Sequence, residues 1–140
     1  MAIIQGMCTS FKLQLLLGVH DFSTHTFRIA LYSITADLTP ASTAYTPTDE
    51  ISGSGYTAGG AALTAVAPTT DGTVALASFE DVSWPAATLT ARGALIYNSS
   101  VAGNPAVAVL DFGADKTVAG QTFTVRFPPA TAATAIVRIA

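Results

Sequence analysis

Two histidines, nine Asp and Glu residues, one cysteine and a glycine-rich run are the residues of this 140-residue chain whose types could support chemistry. His20 and His25 bracket Asp21, and two imidazoles with a carboxylate suggest a metal. A zinc site needs at least a third well-placed protein ligand, and a five-residue offset turns the two rings apart on a helix. The pair is therefore expected to be hydrogen-bonded where the N-terminal segment meets the first strong strand. Glu80, Asp81, Asp111 and Asp115 could act as general acids and bases or as calcium ligands. Nothing in their spacing sets two of them at the separations that glycoside hydrolysis requires, so they read as solvated loop carboxylates. Serine, histidine and aspartate all occur, but the strained Gly-x-Ser-x-Gly elbow does not, and no nucleophile is nominated.

The remaining motifs are weaker. Gly53-Ser54-Gly55-Tyr56-Thr57-Ala58-Gly59-Gly60 is glycine-rich like a phosphate loop. It lacks the Gly-Lys-Ser/Thr ending that supplies a phosphate-reaching lysine and a metal-binding hydroxyl. Its glycines are expected to permit positive φ in a turn. Asp111-Phe112-Gly113 spells the magnesium-binding tripeptide of protein kinases, but every other kinase element is missing. Asn98-Ser99-Ser100 matches a glycosylation acceptor, which carries no weight without a secretory signal. Cys8 stands alone, which leaves no internal disulfide and no cysteine zinc site, and it is expected to be an inert reduced thiol. The expectation is a protein that is not an enzyme, with no catalytic, cofactor-binding or metal residues.

The elements that would position these residues are mostly strands. Ser10 to Phe22 is dense in apolar residues. Ser10 could cap a helix there, yet Phe11, Leu13, Leu15 and Leu17 also alternate as a strand would. Gly18 weakens the helix case. Residues 1–24 are therefore expected to form a short helix or an arm, and residues 25–140 a single β-domain. Phe27, Ile29 and Leu31 alternate with Arg28, Ala30 and Tyr32, as in a strand with one face on a core. Further strands are expected at 63–67, at 73–82 after the Asp71-Gly72 turn, and at 89–98 with a bulge at Gly93. Others are expected at 107–112 after Gly103-Asn104-Pro105, around the alternating Phe123, Val125 and Phe127, and at 136–139. Turn residues at Asp115-Lys116 and Ala119-Gly120-Gln121 suggest that the last three strands form a meander. About eight short strands at regular spacing predict an all-β sandwich or jelly roll. Residues 40–60 show little strand pattern. A loop that long is either a crossover between sheets or functional.

Composition narrows the function classes. Only 11% of residues are charged, against the ~25% of ordinary soluble domains, while half are hydrophobic. No run of about 18 apolar residues exists to cross a membrane as a helix, and the Leu13–Val19 cluster lacks the flanks of a secretory leader. High hydrophobicity and a net charge of −3 do not suit disorder. Six scattered Lys and Arg residues form no nucleic-acid patch. A chain with so little charge is expected to cover itself with other protein. Trp84, Tyr45 and Tyr56 are candidate contact aromatics, because such rings bury much area while keeping a polar handle. Phe11, Leu13 and Leu16 in the N-terminal segment, and Ile136 and Ile139 on a terminal strand open to strand addition, complete the expected protein interface. The alternative is that Trp84 closes one end of the core.

Several segments resemble a group of small tailed-phage virion proteins. They are Phe11-Lys12 onward, His20-Asp21-Phe22, Thr26 to Tyr32, Glu50 to Gly60, Leu110 to Gly113 and Gly120 to Val125. The likeness covers about residues 11–128, and its most specific piece is Gly55-Tyr56-Thr57-Ala58-Gly59-Gly60. The group is similar to capsid cement, or decoration, proteins of the kind found as a jelly roll on the head of a short-tailed Bordetella phage. The resemblance implies a homodimer on the outer surface of the virion capsid. It would bind a major capsid protein of the HK97-like fold and link capsomers, without catalysis, cofactor, direct nucleic-acid contact or membrane. An alternative expectation is a tail-associated or fibre module, carbohydrate-binding where Tyr45, Tyr56 or Trp84 line a groove. A small β-sandwich hydrolase is a third.

Overall fold

A computed structural model describes residues 2–140. In chain order the elements are β1 (Gly6–Met7), α1 (Thr9–Leu16), β2 (Phe27–Tyr32), β3 (Ala61–Ala62), β4 (Ala65–Asp71), β5 (Val74–Phe79), β6 (Val82–Asn98), β7 (Ala106–Val125) and β8 (Val137–Ile139). The strands form two antiparallel sheets, ordered β1-β7-β6-β2-β3 and β4-β5-β8. One hydrophobic cluster draws on both. The all-β, two-sheet architecture with a short N-terminal helix is thus as expected. The jelly-roll winding, which the strand spacing and the resemblance both offered, is not traced by this strand order.

The N-terminal segment takes its helical form, with caps different from those expected. Helix α1 starts after Cys8, which makes no side-chain capping bond. Ser10 lies inside the first turn instead, and its hydroxyl is buried without a partner. Gly18 ends the helix rather than weakening it. At φ +73° it lets its own N–H reach Leu15 O and lets Val19 N–H reach Gln14 O, the paired bonds of a Schellman cap. The segment is also sewn to the domain. Gly6 and Met7 pair with Val109 and Ala108, Cys8 N–H donates to Val107 O, and Ile4 and Leu38 are bonded through Ile4 N–H to Leu38 O.

Strand β2 departs from the one-faced pattern, for all its residues except Arg28 are buried. The Phe27, Ile29 and Leu31 face meets the core. There Phe22 stacks on Phe27 at 4.5 Å, Phe27 lies 5.7 Å from Phe79, and Phe79 lies 5.9 Å from Phe127. The other face is covered by the segment between β2 and β3. This segment is not a crossover between sheets, because it leaves β2 and returns to β3, the neighbour of β2 in the same sheet.

The expected meander is replaced by one long hairpin. Strands β6 and β7 pair from Val82 with Val125 to Tyr97 with Ala106. The turn residues inside β7 mark bulges instead of reversals. Between the pairs Gly93–Asp111 and Ala91–Lys116 the β7 side carries extra residues around Gly113, and between Leu89–Val118 and Ala87–Gln121 it carries one more beside Gly120. Both glycines have positive φ, +78° and +63°, which re-aims a strand without ending it. The strand expected at 73–82 breaks at Glu80-Asp81 into β5 and the start of β6, and that expected at 63–67 begins two residues later, at Ala65, and runs on as β4 to Asp71. Pro68 sits where the β4–β5 register shifts, on an edge strand that tolerates its missing N–H.

The exposed area is 6920 Å², near the ~6800 Å² of an ordinary monomer of this mass. The low charge is therefore not explained by an extended shape with unusual burial needs. It lies on the surface of a normally packed domain.

Candidate functional site

The segment expected to be either crossover or functional is organised by one carboxylate. Glu50 Oε1 accepts from Tyr45 Oη at 2.6 Å, and Oε2 accepts from Tyr56 Oη at 2.5 Å and from the Gly59 N–H at 2.8 Å. Tyr56 Oη in turn accepts the Leu31 N–H at 2.9 Å. The Ile51 N–H donates to Leu31 O, and the Ser33 N–H to Asp49 O. Beyond the two residues of β3, the loop thus supplies the bonds that a neighbouring strand would give β2. Tyr97, stacked on Tyr45 at 4.7 Å, donates to Gly59 O at 2.6 Å. Tyr32 donates to Thr46 O at 2.6 Å, and Arg28 to Gly60 O at 2.7 Å. All four tyrosines of the chain therefore converge on this loop. Burial, reinforced by the Glu50 charge, holds the hydroxyls of Tyr32, Tyr45 and Tyr56 far above the usual tyrosine range. They are neutral donors, and the arrangement is a structural clasp.

The glycine-rich run closes onto the sheet. Gly55, Gly59 and Gly60 have positive φ, as expected. Gly53 acts differently, since a Cβ there would strike the Thr88 carbonyl oxygen, and one at Gly60 would strike the Ile29 carbonyl oxygen. The run is a seam of close backbone approach.

His20 and His25 are joined through a residue that no local spacing indicates. The Asn98 amide nitrogen lies 3.0 Å from His20 Nδ1 and 2.9 Å from His25 Nδ1, donating one hydrogen to each ring. His20 Nε2 lies 2.8 Å from Gln14 Oε1, which fits a neutral ring carrying its proton on Nε2. Burial first, and the neighbouring His25 second, lower the His20 pKa below its ordinary value. The ring packs between Phe11 and Phe27 at 4.8 and 6.2 Å. Both Nδ1 lone pairs are occupied, and among the described residues no group of three or more His, Cys, Asp or Glu residues could hold a metal. Asn98 is fully buried, so its Asn-Ser-Ser context does not present an accessible acceptor.

Two of the carboxylates expected in loops, Asp111 and Asp115, lie on β7 and gather at one cation, while Asp81 is engaged elsewhere. Asp111 and Asp115 approach Arg92 at 3.7 and 4.0 Å, Asp111 caps the Gly113 N–H, and Asp81 accepts from the Phe127 N–H. Burial raises the Cys8 thiol to about 11, which keeps it protonated and unreactive.

The expected contact residues fall into two sets. Phe11 and Trp84 are buried. Phe11 anchors α1 against His20 and Phe22, while Trp84 packs against Phe123 and Tyr56, closing one end of the core. Tyr45 and Tyr56 are half-buried and committed to Glu50, so the three aromatic residues form no outward groove. Ile136 is half-buried against the core. Leu13, Leu16 and Ile139 do face outward, at 57%, 87% and 56% exposure, together with Leu17. Of the six large apolar residues that stand exposed among the described ones, these four lie on α1, its cap and β8. The two elements meet at a groove of about 350 Å³ lined by Met7, Lys12, Leu15, Leu16, Arg138 and Ile139. Lys12 and Arg138 went unnoticed in the sequence, where they lie at opposite ends of the chain. A cation beside exposed leucines was the one local signal.

No protein family, curated protein or solved structure matches the chain.

Proposed function

We propose that this chain is a non-catalytic capsid cement protein of a tailed phage. It would bind, as a homodimer, to the outside of a shell of HK97-like major capsid protein and link neighbouring capsomers. The observation that carries the reading is the exposure of Leu13, Leu16 and Leu17 at i, i+3 and i+4 along α1 and its cap, with Leu16 meeting exposed Ile139 at one groove, in a domain whose other motifs serve its own folding. Solvent-facing leucines on a helix held by a single buried ring, Phe11, contribute nothing to the monomer's core. Covering them stabilises a contact at about 25 cal/mol for each Å² of apolar area removed from water.

A shell packed with DNA is under pressure. A protein that binds only the assembled lattice stabilises it by mass action, and repetition over the shell multiplies a modest interface. Low charge suits a broad contact of this type. The fibre reading, in which exposed rings stack on sugars, has less support because Tyr45, Tyr56 and Trp84 are engaged internally.

The test is fractionation of particles of the phage that encodes the chain. The protein should travel with heads after tails are removed, and adding it back to stripped heads should raise the temperature at which they release DNA. Presence in the tail fraction alone overturns the proposal.

A further inference from the structure

The groove between α1 and β8 carries more information than its apolarity. Its apolar lining is Met7, Leu15, Leu16 and Ile139, and its two charged residues are both cations, Lys12 and Arg138. This local sign opposes a chain of net charge −3. The ion pairs among the described residues belong to Arg92, so neither Lys12 nor Arg138 has a carboxylate partner. Arg138 uses one guanidinium nitrogen on the carbonyls of Ala132 and Ala133, and Lys12 makes no side-chain hydrogen bond among the described residues. Strand β8 is the outer strand of its sheet, bonded only to β5. Its far edge is a template for an added strand. Because β8 is three residues long, backbone pairing alone is a small grip, and the exposed leucines of α1 and the two cations must supply the rest.

We propose that this groove receives an extended segment of the capsid shell protein in which a carboxylate lies between apolar side chains. The segment runs along the open edge of β8, places its apolar side chains on Leu16 and Ile139, and sets its carboxylate against Lys12 and Arg138. This rests on the cement reading and names the chemistry that the cement grips. A second copy of the chain is a poorer occupant. A two-fold contact places the same patch on both sides, bringing Lys12 and Arg138 against their own equivalents, and like charges across an interface oppose it.

The test uses the assembled particle. A photo-crosslinking amino acid replaces Leu16 or Ile139, with Thr90 on the exposed side of β6 as the control position, and the captured peptides are sequenced. Positions 16 and 139 should capture one shell segment containing Asp or Glu among apolar residues, and position 90 should not capture it. Lys12→Glu, at an exposed helix position without a side-chain bond, should lower occupancy on heads about tenfold, the factor that ~1.4 kcal/mol of lost complementarity produces. Its far-ultraviolet spectrum should stay that of the parent protein. Capture of a second copy, capture of a basic segment, or full occupancy by Lys12→Glu overturns the inference and leaves the cement reading standing. Absence of the parent protein from heads overturns both.

Discussion

Asn98 offers its two amide hydrogens to two imidazoles, so a proton added at Nδ1 of His20 sets donor against donor. The folded state lowers the His20 pKa, whereas the unfolded chain takes up that proton near the ordinary value of about 6.5. As pH falls the unfolded state therefore binds more protons, and the stabilisation, complete above about pH 6.5, is lost on the acid side. Urea midpoints should fall as pH is lowered from about 7.5 to about 5, and a flat profile would contradict the neutral-ring assignment. Asn98→Asp replaces the donor to His20 with a carboxylate that favours the protonated ring. This variant should be weaker at neutral pH and should reverse the slope. The pairing of His20 and His25 was legible because they are neighbours in the chain. Asn98 was not, since it lies 73 residues from His25 and no periodicity links a loop histidine to the end of a distant strand. Glu50 was hidden for a different reason: Tyr45, Tyr56 and Gly59 are its near neighbours in the chain, but a loop without a regular repeat has no spacing that says which side chains meet.

At the scale of elements, glycines of similar φ do different work. Gly60 and Gly72 have φ of +79° and +61°, but a Cβ at Gly72 meets open space while one at Gly60 runs into the Ile29 carbonyl. Gly72→Ala should cost about 1–2 kcal/mol, the left-handed penalty alone. Gly60→Ala should cost about 3 kcal/mol or more, because β2 or the loop must also shift. Thermal denaturation of the two variants measures the difference, and equal losses would show that the seam yields freely. Turn residues were read well where they end strands, as at Asp71-Gly72 and Gly103-Asn104, and misread within β7. A glycine at positive φ bends or reverses a strand according to whether the partner strand continues alongside, and here β6 does. The second buried face of β2 was likewise invisible in its alternation, because the covering comes from the loop that follows it.

For the whole molecule, the tyrosine clasp ties the longest loop to the large sheet and sets the alkaline limit of the fold. Tyr32, Tyr45 and Tyr56 are held well above the ordinary range by burial and by Glu50, while unfolded tyrosines ionise near pH 10. Above that pH the unfolded state releases protons that the folded state keeps, so stability present below about pH 10 is lost as pH rises. Unfolding by fluorescence and phenolate absorbance should coincide above pH ~10, and early ionisation without unfolding would mean that the hydroxyls are not enclosed. Fold class was legible because short apolar runs separated by turn formers are a local property. Leu16 and Ile139 were legible singly as contact residues, but their meeting across the α1–β8 groove was not, because it joins residues near both ends of the sequence. The pairing of β2 with β6 has a further consequence during synthesis on the ribosome. Phe27–Tyr32 leaves the exit tunnel early, but its register partners Gly93–Asn98 follow only after the clasp loop and the entire small-sheet hairpin. Until then a six-residue apolar strand waits without its central neighbour, and such late, non-local closure slows folding and exposes nascent chains to aggregation.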